Sequence, residues 1–104
     1  MATVLTYRND GDKPFCEIAL DDGAHVQLKL DPRGLVIERQ AVGGRGAEVL
    51  FTWDADLVTD MCVALLGKTA ASKSSTLDVL ISVVTQLPSA AHVRDAFQAA
   101  AKAL

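Results

Sequence analysis

The sequence predicts an α+β fold: a five-stranded antiparallel meander in the N-terminal half, with three C-terminal helices packed on one face. Three observations lead there. Turn signals recur every ten to twelve residues through 1–53, at Asn9-Asp10-Gly11-Asp12, Asp21-Asp22-Gly23, Asp31-Pro32-Arg33-Gly34 and Gly43-Gly44-Arg45-Gly46. After residue 53 the apolar spacing changes from alternating to helical. The chain of 104 residues, 50% hydrophobic and 22% charged, has room for one domain, with 1–53 as the meander and 54–104 as its helical cover.

The strands are expected at 2–8, 13–20, 24–30, 35–42 and 47–53. Their register follows from asking which pairing puts the apolar side chains on one face, since neighbours along a strand alternate. The first hairpin pairs Leu5 with Ile18 and Tyr7 with Cys16. A three-residue loop at Asp21-Asp22-Gly23 pairs Leu20 with Ala24, Ile18 with Val26 and Cys16 with Leu28, and Gly23 takes the left-handed position. The loop Asp31–Gly34 pairs Leu30 with Leu35 and Leu28 with Ile37, its proline and glycine suiting a type I turn. The last hairpin pairs Leu35 with Trp53 and Ile37 with Phe51. The register buries Ile18, Val26, Leu28, Ile37 and Phe51 and sends Glu17, Gln27 and Glu38 to the opposite face.

Helices follow. Asp54 is a plausible N-cap for a first helix with Leu57, Val58, Met61, Cys62 and Leu65 on one stripe, stopped at Gly67. Ser75-Thr76-Leu77-Asp78 approximates a capping box for a second helix, with Leu77, Leu80, Ile81, Val84 and Leu87 before Pro88. Val79 and Val83 leave that helix only a thin polar stripe of Asp78, Ser82 and Thr85, as expected of a central helix or one covered by another chain. Ser89 caps a third helix that buries Val93, Phe97, Ala100 and Leu104.

Charge narrows the partners. Ten basic against thirteen acidic residues give a net charge of −3, which argues against duplex nucleic acid, whose phosphates reward a basic face. The most apolar stretch, Leu77–Val84, is far short of the ~20 residues that span a bilayer. The N-terminus lacks a signal pattern, and Cys16 and Cys62 have no metal spacing. The expectation is a cytoplasmic chain with both thiols reduced and no membrane partner.

Catalytic and ligand motifs are weak. Gly67-Lys68-Thr69 imitates the end of a phosphate-binding loop, but Cys62 stands where the motif needs glycine, so a helix C-cap explains it better. Gly43-Gly44-Arg45-Gly46 reads as a hairpin turn, and Asp54, Asp56 and Asp60 as first-turn acids that suit the helix dipole. His25 and His92 have no evident nucleophile beside them. No cofactor is implied, and an enzyme is not the favoured reading.

Three surfaces remain as candidates. Val79 and Val83 suit contact with a second copy of the chain, and the leading expectation is a non-enzymatic protein-interaction module that forms a homodimer or binds another protein. Across the polar sheet face one row reads Arg8, Phe15, Lys29, Val36 and Thr52, an aromatic flanked by two bases that suits single-stranded nucleic acid. Its neighbour reads Thr6, Glu17, Gln27, Glu38 and Leu50, and its acids weaken that alternative. Arg39 falls on the apolar face between Val26 and Val49. There it either snorkels out at the sheet's rim or marks an anion, ligand or enzymatic site.

Overall fold

Turn chemistry dictates the connections of the sheet. At residues 20–24 the chain reverses through a three-residue loop in which Leu20 N donates to Ala24 O at 2.8 Å and Gly23 N to Leu20 O at 3.0 Å. Gly23 has φ +86°, the left-handed position such a loop needs and glycine reaches without a Cβ clash. The Asp22 side chain accepts from Ala24 N at 2.9 Å and closes the turn. The computed structural model describes residues 2–8, 14–31, 33–40, 46–54, 60 and 76–103.

Those residues form a five-stranded antiparallel sheet in the order β1-β2-β3-β4-β5, with helices: an α+β fold. The strands are β1 (Thr3–Arg8), β2 (Phe15–Ala19), β3 (His25–Asp31), β4 (Gly34–Gln40) and β5 (Ala47–Asp54). Two helices are described, α1 (Thr76–Val84) and α2 (Ala90–Lys102). The helix expected over 54–67, with Asp56, Cys62 and Gly67-Lys68-Thr69, lies outside the described residues, apart from Asp54 and Asp60. So do the turn at 9–12 and the glycines 43 and 44. Asp54 is the last residue of β5, and the residues that would follow it as a helix cap lie outside the described ones.

The central register is the expected one. Cys16 faces Leu28, Ile18 faces Val26, Leu28 faces Ile37, Leu30 faces Leu35 and Ile37 faces Phe51. The third turn is tighter than a four-residue loop, because Asp31 and Gly34 already pair with one another.

Two corrections fall on the two edge strands, and both are β-bulges. In β1, Val4 rather than Leu5 faces Ile18, and the ladder resumes at Thr6 opposite Glu17, leaving Leu5 as the extra residue. In β5, Phe51 faces Ile37 and the next pair is Glu38 with Val49, leaving Leu50 as the extra residue. Leu50 therefore does not lie in the polar row. It is buried beside Phe51, and Val49 takes the outer place instead, 55% exposed. Downstream of the bulge, Glu48 rather than Val49 faces Arg39.

The core lies between the sheet and the helices. Cys16, Ile18, Val26, Leu28, Leu35 and Ile37 supply it from the sheet, and Leu77, Leu80, Val84, Val93 and Phe97 from the helices. Helix α1 packs over β2 and β3, and α2 packs over β5. Phe97 is the joint to β5, with its ring centroid 5.7 Å from that of Phe51, which in turn stacks on Trp53 at 5.8 Å. Helix α1 gives way to a turn after Val84, where Thr85 N donates to Ile81 O at 2.9 Å, and Pro88 blocks any continuation. Ser89 then caps α2, its hydroxyl accepting from His92 N at 3.2 Å.

Val79 and Val83 are buried at 4% and 8% exposure within the single chain. Their own chain covers them, so α1 is a core helix and its apolar circumference does not call for a second copy.

Candidate functional site

The outer sheet face shows how alternation sorts chemistry. Arg8 faces Phe15, Phe15 faces Lys29, Lys29 faces Val36 and Val36 faces Thr52, so the row expected from the sequence is assembled in full. Three of its members are engaged, two with each other and one with the neighbouring row. The Arg8 guanidinium lies over the Phe15 ring, 5.2 Å from its centroid. Lys29 Nζ donates to Glu38 Oε1 at 2.6 Å. A base stacking on Phe15 would have to displace Arg8, and a phosphate approaching Lys29 would have to compete with a carboxylate.

The neighbouring row is Thr6, Glu17, Gln27, Glu38 and Val49. Gln27 Nε2 donates to Glu17 Oε1 at 2.8 Å, and His25 Nδ1 lies 3.6 Å from Glu17 Oε2. These contacts shield the side chains expected in open solvent, and Glu17, Gln27 and Glu38 are half-buried. The face is a lattice of cross-strand pairs, each of modest worth at this exposure.

Arg39 is half-buried, opposite Val26 on one side and Glu48 on the other. Among the described residues no charged side chain is buried. The β5 bulge places a carboxylate-bearing residue across from Arg39 in place of a valine. A cavity of about 380 Å³ lies elsewhere, at the β4–β5 end, lined by Arg33, Gly34, Leu35, Val36, Thr52, Trp53 and Asp54. Trp53 Nε1 is buried near it without a hydrogen-bond partner.

Potential catalytic groups have structural duties. The Ser89 hydroxyl lies 2.6 Å from His92 Nδ1, a contact the sequence reading missed. That hydroxyl also accepts the His92 amide as the helix cap, and the pair is exposed at the helix start. A nucleophile wants a base oriented by a third group inside a cleft, and this pair has neither. Cys16 is fully buried, and burial together with the neighbouring Glu17 carboxylate pushes its thiol up to about 11, far from the thiolate a nucleophile needs. Among the described residues no three His, Cys, Asp or Glu side chains come together as a metal site. No helix among them is long and apolar enough to cross a membrane.

The remaining surface feature is β1. All six of its residues are exposed, and Val4, Leu5 and Tyr7 are open at 41%, 47% and 47%. The register points Val4 and Tyr7 to the core side, opposite the buried Ile18 and Cys16. Tyr7 Oη donates to Asp78 at the start of α1, a link between this strand and the helical layer. Sequence reasoning missed this strip because it took β1 as regular and covered. The adjacent pair Val4-Leu5 was the available signal, since strict alternation cannot bury both. Comparison of the chain with protein-family models, with curated proteins and with solved structures finds no match.

Proposed function

We propose that this protein is a non-enzymatic interaction module that associates with itself as a homodimer. One observation carries the reading: three of the four large apolar side chains exposed among the described residues, Val4, Leu5 and Tyr7, lie on a single edge strand. Scattered exposed apolar residues are ordinary, whereas a cluster on one element marks a contact. The contact is expected at this strand and not at Val79 and Val83, which their own chain buries. The single-stranded nucleic-acid alternative has less support, because the ring and both bases of its platform, Arg8, Phe15 and Lys29, are occupied within the chain. A ligand site at Arg39 has as its support, among the described residues, the carboxylate-bearing Glu48 across from it. The test is solution mass against concentration. A mass that rises from one chain toward two supports the module, and a single-chain mass throughout overturns it.

A further inference from the structure

We draw no further inference here: the strongest candidate, the cavity of about 380 Å³ at the β4–β5 end beside Trp53, carries nothing, because Arg33 and Gly34 in its wall have partners of their own, the orphaned Trp53 Nε1 is sealed from anything the cavity could hold, and nothing in the structure shows what covers the end of β5 beyond Asp54.

Discussion

The two edge strands carry the same device and meet opposite fates. Each has one extra residue, Leu5 in β1 and Leu50 in β5. Leu50 is buried at 6% exposure, with Phe51 next to it, because α2 lies over that edge and Phe97 reaches the Phe51 ring. Leu5 stays 47% exposed, since the helical layer is centred away from β1. A bulge thus bends a strand and shifts its alternation, but the element packed above decides whether the extra apolar side chain becomes core or surface.

The largest expected effects come from breaking the covered edge. Phe97→Ala should cost about 3–5 kcal/mol and Leu50→Ala about 2–5, since both leave cavities under α2. Leu5→Ala, at an exposed position, should change stability by less than about 0.5 kcal/mol. Urea denaturation of the three variants checks this, and equal costs for Leu50→Ala and Leu5→Ala would remove the contrast between the edges.

Cys16 reports on the open edge, because it lies opposite Tyr7 beneath β1. Its thiol has a value of 9.0 when unperturbed and about 11 in the fold, where burial and Glu17 disfavour the thiolate. The raised value means the folded chain holds the proton that the unfolded chain releases. Stability from this group is complete below pH 9 and is lost as pH rises toward 11, by up to about 1.4 kcal/mol per pH unit. Denaturation curves across that range should show the loss in the wild type and a smaller slope in Cys16→Ala. The folded thiol should also resist alkylation at neutral pH, and rapid alkylation would mean that β1 opens readily.

Smaller effects sharpen the comparison. Tyr7→Phe removes the hydroxyl that reaches Asp78, and it should cost about 0.5–1.5 kcal/mol. Amide exchange in β1 should speed accordingly, while β5 is unaffected. Smallest of all, Lys29→Ala should change stability by less than about 1 kcal/mol, since its pair with Glu38 lies on the solvated face.

Alternation and turn chemistry, both local, were enough for the sequence to determine the order of the strands, the central register and the turn at Gly23. They were also enough for the inward set Ile18, Val26, Leu28 and Ile37 and for the outer row from Arg8 to Thr52. The cap at Ser89 and the buried face of α2 follow from helical spacing in the same way. Only the tertiary structure decided the two bulges, because no local preference counts the residues on the opposing strand. It likewise decided that Val79 and Val83 are core, that Arg8 covers Phe15, that a carboxylate-bearing residue faces Arg39, and that Val4, Leu5 and Tyr7 stay open. Each of these depends on what lies across from or above a side chain, a relation between separate parts of the chain that alternation along one strand does not contain.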